Sequence, residues 1–198
     1  MTSLVLASAS RTRAGMLERA GVAVTCDPAD VDEDAVKAAG RAAGCSVEQV
    51  AERLAEAKAS TVAVRHPGAL VLGADQMLDC GGQWFDKPAG RDGAADQLRR
   101  LRGRTHRLVS AAAVVQDGVV IWRGIDDARL TMRVFTDGFL DGYLQACGDG
   151  VLSSVGAYHL EGLGAQLFER VEGDFFTILG LPLLPLLGFL RERGIVTS

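Results

Sequence analysis

An acidic residue and a lysine stand on either side of a tight turn in the middle of this chain of 198 residues. A short apolar run is typical of a buried strand, and Asp75 follows it at the strand's carboxyl end, where open α/β sheets place their chemistry. Gly81 and Gly82 then predict a reversal, and Lys87 stands before Pro88, which favours an extended backbone for the lysine. The pattern predicts a hairpin that carries a carboxylate on one arm and an ammonium on the other.

A serine-rich turn near the amino terminus outlines an anion site. The apolar residues 4–7 predict a strand, and Ser8 and Ser10 separate it from a helical pattern of which Ser10 is the natural N-cap. Backbone N–H groups at a helix start, two hydroxyls, and Arg11 and Arg13 in the first turn suit an anion. An ordinary cap with solvated arginines is the alternative, although arginines at the positive end of a helix are unfavourable without an anion.

Four carboxylates follow Pro28 and have two interpretations. They form either the charged first turn of a helix, which the helix macrodipole favours, or part of a cation-binding site. The cluster consists of Asp30, Asp32, Glu33 and Asp34.

Lysine is rare in this sequence, since only three of its 21 cationic residues are lysines. A lysine therefore hints at a position that needs a compact ammonium rather than a planar guanidinium. Lys58 lies inside the clearest predicted helix, residues 46–64, which Ser46 caps. A solvated helix face is the alternative for Lys58. The other two lysines are Lys37 and Lys87.

The remaining pattern alternates strands and helices and predicts an α/β protein with a mixed twisted sheet and flanking helices. A turn at Gln116–Gly118 predicts a hairpin between two apolar runs, and the alternation over residues 128–135 predicts a half-buried strand. Further helices are predicted over residues 92–101, from Thr136, and from Gly180 to about Arg193.

Composition favours a single domain over residues 1–198, with room for two lobes, in an ordinary soluble protein. The chain has 48% hydrophobic residues, 23% charged residues and a net charge of −4, which disfavours a general nucleic-acid binder. Its four scattered cysteines, Cys26, Cys45, Cys80 and Cys147, predict reduced thiols rather than disulfides or a zinc site. With no signal peptide and no membrane span in the pattern, we expect a cytoplasmic protein.

The common catalytic templates are absent. The sequence has no phosphate-binding P-loop, no dinucleotide-binding glycine motif, no zinc-protease or deaminase motif and no serine nucleophile elbow. What remains is a set of spread carboxylates, dispersed cations and a hydroxyl-rich helix start. Hard oxygen ligands suit Mg²⁺ or Mn²⁺, and the cations suit a polyphosphate, which together suggest metal-assisted attack of water on a nucleotide phosphate.

The same residues fall in motifs that resemble the Maf family, also called septum formation inhibitors. The motifs follow the family's order along nearly the whole chain: L-A-S-A-S-R-T-R from Leu6, V-D-E from Val31, A-E-A-K-A from Ala55, G-A-D-Q from Gly73, D-K-P from Asp86, L-R-G-R-T-H from Leu101, G-A-Y-H-L-E-G-L-G from Gly156 and G-L-P-L from Gly180. The resemblance implies a nucleoside triphosphate pyrophosphatase, which splits a nucleotide into its monophosphate and pyrophosphate. It also implies a two-lobed fold similar to inosine triphosphatase, an active site in the cleft between the lobes, and a homodimer.

The resemblance assigns roles to particular residues. Asp75 becomes the general base for water, and Glu33 with Asp32 helps Asp75 to hold a divalent cation, Mg²⁺ or Mn²⁺. The residues that would grip the triphosphate are Ser8, Ser10, Arg13, Lys58 and Lys87.

Three positions depart from the most common family pattern and bear on base selection. Thr12 replaces a larger side chain and the first motif lacks its usual proline, while Gln76 and Glu161 resemble the branch that acts on 7-methyl-GTP rather than on dTTP and UTP. We therefore expect a modified or purine nucleotide as substrate. A nucleotide-binding regulator of cell division without turnover is the alternative, and a metal-dependent phosphomonoesterase is a second one.

Overall fold

The computed structural model describes residues 4–197. Their strands are β1 (Leu4–Leu6), β2 (Val24–Cys26), β3 (Leu70–Cys80), β4 (Gln83–Phe85), β5 (Thr105–Gln116), β6 (Val119–Met132) and β7 (Phe168–Glu172). Their α-helices are α1 (Arg11–Arg19), α2 (Glu33–Ala42), α3 (Val47–Ala63), α4 (Gly90–Leu101), α5 (Asp137–Cys147), α6 (Phe175–Ile178) and α7 (Leu183–Glu192). The seven strands of this region form one sheet in the order β2-β1-β3-β5-β6-β7, with β4 paired to β3. The mixed α/β sheet predicted from the sequence is confirmed.

The parallel part of the sheet brings two predicted site residues to one edge. β1 lies between β2 and β3 and is parallel to both, with Leu6 opposite Leu72. Ser8 comes two residues after Leu6, and Asp75 comes three residues after Leu72. Because parallel strands point the same way, Ser8 and Asp75 both lie beyond the level at which β1 ends. β3 itself continues to Cys80, so the prediction that this strand ends just before Asp75 is wrong.

Alternating apolar residues bury both faces of β1. Leu4 and Leu6 pack into one cluster with residues of α1, β3 and α7. Val5 packs into a second cluster with Ala59 and Val62 of α3. A strand covered on both faces reads as a continuous apolar run, which is what the sequence shows for β1 and for the first half of β3.

Gly73 lets α3 lie directly against β3. A Cβ atom at this position would stand 2.1 Å from the carbonyl oxygen of Ala55 and 2.6 Å from the nitrogen of Ala59. No side chain fits at such distances, so the glycine sets the closest approach between helix and strand. This contact brings Lys58, which precedes Ala59 in α3, close to the strand that carries Asp75.

Two tight turns have the backbone that two-residue hairpins require. Gly81 and Gly82 connect β3 to β4 with φ values of 64° and 85°, and Asp117 and Gly118 connect β5 to β6 with 48° and 79°. Positive φ at both central positions matches the twist of antiparallel strands, and glycine adopts it without a steric penalty. Both predicted reversals are confirmed.

The chain divides into two compact units, each made of segments that are separated in the sequence. The first comprises the chain up to Gln76, Val109–Asp126 and the chain from Asp174. The second comprises Met77–Leu108 and Asp127–Gly173. Most of the predicted site residues belong to the first unit, whereas Lys87 and Glu161 belong to the second.

A buried histidine and tyrosine pair organises the interior of the second unit. His106 is only 1% exposed, and its Nε2 lies 2.7 Å from the hydroxyl of Tyr158, which packs edge-on against Phe168. Burial lowers the pKa of His106 to about 4. Tyr143 donates its hydroxyl to the carbonyl oxygen of Ala157, a buried residue with a positive φ of 60°. These contacts hold the motif that continues to Glu161.

Some elements differ from the sequence-based expectations. The runs predicted as two strands, residues 119–122 and 128–135, belong largely to the single strand β6, and β7 was not predicted. The sequence analysis does not predict the short helix α6 either. Among residues 4–197, every helix is too short or too polar to span a bilayer.

Replacing Gly73 with alanine tests the close contact between α3 and β3. We expect Gly73→Ala to lower the free energy of unfolding by about 3 kcal/mol or more, because the new methyl group meets helix backbone rather than a flexible side chain. Gly142→Ala is the matched control, since Gly142 lies in α5 with open space around its Cβ position. This control should gain about 0.5–1 kcal/mol in urea unfolding. Equally small effects of both changes would contradict the packing argument.

His106 predicts a pH-dependent stability. A histidine whose pKa falls from 6.5 to about 4 on folding contributes stability that is fully present above pH 6.5 and is lost as the pH falls towards 4. Between pH 7 and pH 4 the wild type should lose about 3 kcal/mol more than His106→Gln, which cannot titrate. Urea unfolding of both proteins across this range measures the difference, and parallel pH profiles would contradict the assigned burial.

Candidate active site

A largely buried lysine side chain joins two carboxylates in the first unit. Lys58 Nζ lies 2.6 Å from Asp75 Oδ1 and 2.7 Å from Glu33 Oε1. Asp75 is only 5% exposed, and the lysine side chain is 11% exposed. Lys58 is therefore not a solvated surface lysine, and three residues predicted from separate motifs meet in one place.

Helix starts determine the position of these side chains. Ser46 and Gln49 form a capping box that begins α3, the helix that carries Lys58. Asp32 caps α2 by accepting the N–H of Ala35 at 2.9 Å, which places Glu33 in the first turn. The helical interpretation of the acidic cluster is confirmed for α2, and Glu33 still reaches Lys58 from this turn.

Lys37 adds a second ammonium to the same row of charges. It stands one turn after Glu33 in α2, with its Nζ 3.8 Å from Glu33 Oε2. Its side chain is only 16% exposed. The row therefore alternates in sign from Lys37 through Glu33 and Lys58 to Asp75. Sequence reasoning singled out Lys37 only as a rare lysine; its spacing of four residues from Glu33 was the signal that could have placed it here.

Burial and nearby charges act on Asp75 in opposite directions. Burial raises the pKa of Asp75, while Lys58 and Arg13 lower it. Burial also disfavours the charged form of Arg13 and so lowers the pKa of this residue. The negative charges of Asp75 and Glu33 oppose that change. A guanidinium keeps its proton in proteins, so the site contains a fixed positive charge beside a carboxylate that burial makes more basic.

The guanidinium of Arg13 is held by three acceptors. Its Nε donates to the carbonyl oxygen of Gly180 at 2.8 Å, and its Nη1 donates to Ala74 at 3.0 Å and to Ser8 Oγ at 3.3 Å. Two of these acceptors are main-chain oxygens of unit one, from the residue before Asp75 and from the loop before α7. Arg13 is therefore a fixed arginine rather than a solvated one.

The predicted N-cap is confirmed. Ser10 Oγ accepts the N–H of Arg13 at 3.3 Å, and the N–H of Ser10 donates to Ser8 Oγ at 3.2 Å. The first turn of α1 contains no acidic residue, so its own sequence supplies no negative charge to the positive end of the helix. Thr12 lies in this turn and is partly buried. An anion at this helix start stays a prediction.

Gln76 points its amide nitrogen into the protein. The Nε2 atom lies 3.0 Å from the carbonyl oxygen of Thr177 and 2.9 Å from that of Ile178. Sequence reasoning treated Gln76 as a specificity residue and had no signal for these contacts, because they join residues about 100 positions apart.

Lys87 and Glu161 lie in the second unit. Lys87 is exposed in the loop between β4 and α4. Because β4 ends at Phe85, the prediction that Lys87 lies on an arm of the hairpin is wrong. Glu161 is exposed as well, with its Oε1 3.7 Å from His159 Nδ1. Their roles in phosphate binding and base selection stay predictions.

The carboxylate oxygens at this site suit a divalent cation only when oxygen ligands from the substrate complete its coordination. Glu33 and Asp75 turn carboxylate oxygens towards one cationic group, so hard oxygen ligands converge here. Asp32, the third predicted ligand, directs Oδ1 to the backbone of α2. Across residues 4–197 no group of three or more His, Cys, Asp or Glu residues is arranged to hold a metal ion. One or two carboxylates with substrate phosphates and water are a usual environment for Mg²⁺, so Glu33 and Asp75 fit that cation.

A family model described as "Maf-like protein" matches residues 3–193 of the chain. The chain belongs to the Maf family. The family predicted from the motifs is therefore confirmed, and the match spans both compact units.

The relatives of this Maf protein align over nearly their whole length. A "Nucleoside triphosphate pyrophosphatase" of Paramagnetospirillum magneticum is 61% identical over 96% of this chain and 98% of that protein. A "7-methyl-GTP pyrophosphatase" of Mesorhizobium japonicum is 53% identical over 98% of this chain and 97% of that protein. A solved dITP/XTP pyrophosphatase structure from Mycobacterium abscessus covers 98% of this chain and 96% of its own, but its TM-score of 0.42 and 16% identity carry no argument.

Removing the bridging ammonium tests how the two carboxylates are held. We expect Lys58→Met to lower the free energy of unfolding by about 3 kcal/mol, because Asp75 is left buried without its closest cation. Adding Asp75→Asn should restore part of that loss, by about 1 kcal/mol or more, so the two changes are not additive.

Urea unfolding of the two single variants and the double variant measures this coupling. Arg170→Met is the control, since Arg170 forms an exposed pair with Glu172 and its loss should cost far less. Strict additivity of Lys58→Met and Asp75→Asn would contradict a direct interaction.

Proposed function

We propose that this Maf protein is a nucleoside triphosphate pyrophosphatase that hydrolyses a modified or purine nucleotide to the monophosphate and pyrophosphate. The observation that carries the proposal is the buried Asp75 with Lys58 2.6 Å away and the fixed guanidinium of Arg13 nearby. The names of the relatives from Paramagnetospirillum magneticum and Mesorhizobium japonicum support the same reaction.

The cationic groups of the first unit would receive the triphosphate. Lys58 and Arg13 supply positive charge, and the N-terminus of α1 adds oriented backbone N–H groups. Ser8 and Ser10 supply hydroxyls in the same turn. Charge that builds on the leaving pyrophosphate is stabilised by groups already held in place, which is an efficient form of electrostatic catalysis. Lys87 is assigned to triphosphate binding only because it lies in a family motif.

Asp75 would take the proton from the attacking water. Lys58 is bonded to its Oδ1, which leaves Oδ2 as the oxygen that accepts the proton. Burial raises the pKa of this carboxylate and makes it more basic, while Lys58 and Arg13 oppose that rise. A Mg²⁺ or Mn²⁺ ion held by Glu33 and Asp75, beside Asp32, would supply further positive charge next to the phosphates.

Base selection is assigned to Thr12, Gln76 and Glu161. A carboxylate such as Glu161 accepts hydrogen bonds from the N1–H and exocyclic amine of guanine, and it favours a cationic methylated base. The name of the Mesorhizobium japonicum relative supports a methylated guanine nucleotide.

The motifs also support a homodimer, which sedimentation equilibrium would test. The free thiols found among the described residues suit the expected cytoplasmic location.

The isosteric change Asp75→Asn tests the catalytic proposal. We expect kcat for pyrophosphate release to fall about 10²–10⁴-fold, because the amide cannot take a proton from water. Nucleotide affinity, measured by calorimetry, should change only a few-fold. Asp96→Asn is the control, since Asp96 lies on the surface of α4 and pairs only with Arg100 four residues later.

The assay uses a panel of canonical and methylated nucleoside triphosphates with Mg²⁺ or Mn²⁺ and identifies the phosphorus product. Turnover that survives Asp75→Asn would exclude this residue as the base. Release of inorganic phosphate instead of pyrophosphate would exclude the proposed reaction and favour a phosphatase. Tight nucleotide binding by a wild type without turnover would indicate a regulator.

A further inference from the structure

The side-chain amide of Gln76 has only one chemically allowed orientation. Its nitrogen lies within hydrogen-bond distance of the carbonyl oxygens of Thr177 and Ile178 and 3.1 Å from Ser110 Oγ. Carbonyl oxygens only accept, and the buried Ser110 hydroxyl already donates to Thr177 at 2.8 Å. All three neighbours act as acceptors towards Gln76, so its nitrogen, with two protons shared among them, and not its oxygen, must face them.

These contacts close the carboxyl end of α6. A helix of four residues leaves its last carbonyl oxygens without helical partners, and two of them receive Gln76. Asp174 closes the other end by accepting the N–H groups of Phe176 and Thr177 at 2.9 and 3.1 Å. Side-chain hydrogen bonds at both ends therefore stabilise this short helix.

The segment after α6 holds Arg13. The N–H of Gly180 donates to the carbonyl oxygen of Thr177 at 3.0 Å, and the carbonyl oxygen of Gly180 accepts Nε of Arg13 at 2.8 Å. Gly180 has a φ of +98°, which few other residues adopt. The other end of the guanidinium binds Ala74, the residue before Asp75.

The hydrogen bonds therefore form a closed ring that begins and ends in β3. It runs from Ala74 to Arg13, on to Gly180, through α6 and back to Gln76. Asp75 is the only residue of β3 between the two points where the ring meets the strand. Gln76 and Arg13 are therefore connected through hydrogen bonds on both sides of Asp75.

We propose that Gln76 is a positioning residue, which fixes the guanidinium of Arg13 beside Asp75 through α6 and Gly180. The kinetic part of this inference rests on the proposed function. A shorter side chain such as threonine cannot reach the carbonyl oxygens of α6 from β3, so position 76 affects turnover as well as base choice.

A double-mutant cycle on kcat separates this role from base reading. Gln76→Met keeps the length of the side chain and removes its donors. We expect it to lower kcat about tenfold or more for every nucleotide that the wild type hydrolyses, with little change in KM. In an Arg13→Met background the same change should have no further effect, because the residue through which it acts is gone. Gln116→Met is the matched control, since Gln116 donates to Gly68 at an exposed turn and should leave kcat unchanged.

Hydrogen exchange at Nε of Arg13 tests the inference without turnover. In the absence of nucleotide, NMR should show this N–H protected in the wild type and in Gln116→Met, and exchanging at least tenfold faster in Gln76→Met. A wild type without nucleotide hydrolysis would overturn the proposed function, but this measurement would still decide the positioning role.

Three results would overturn the positioning role. The first is unchanged exchange at Arg13 in Gln76→Met, and the second is an equal loss of kcat in the wild-type and Arg13→Met backgrounds. The third is a new ranking of bases with kcat retained, which would make Gln76 a base reader only. If Gln76→Met does not fold, Ser110→Ala removes one donor from Thr177 and should give the same pattern with a smaller loss, about two- to fivefold.

Discussion

The direct contact between α3 and β3 at Gly73 is the constraint on which the site depends. A helix that rests on strand backbone leaves no room for a Cβ, and this closeness brings Lys58 into bonding distance of Asp75. The ammonium then becomes a buried partner for two carboxylates rather than a solvated charge. The absence of a side chain at Gly73 therefore allows Lys58 to form its ion pairs with the two carboxylates.

The charges of the site compensate one another at close range. Asp75 loses hydration on burial, and the cations Lys58 and Arg13 replace part of the water that it would otherwise bind. Burying these charges costs desolvation free energy. Removing one partner costs more, because it leaves the other charge unpaired in a poorly solvated place. The groups are also oriented before any ligand arrives, which is the property that electrostatic catalysis requires.

Local sequence signals predicted much of this arrangement. The serine caps of α1 and α3 and the two glycine-containing hairpin turns are short-range features, and each has a residue type that favours it. The predicted strand end before Asp75 is wrong, because β3 continues to Cys80. Contacts between distant segments carried no such signal. The bonds of Gln76 to Thr177 and Ile178, and the fusion of two predicted strands into β6, depend on packing that no window of sequence contains.

The bond between Arg13 and Gly180 also affects how the protein is made. Its partners are 167 positions apart, so a ribosome has synthesised most of the chain before the second one exists. Synthesis proceeds from the amino terminus, and contacts of such large separation form late and slowly. During translation the first helix therefore carries an arginine whose final acceptor is missing, and this part of the site is completed only after the segment around Gly180 has been synthesised.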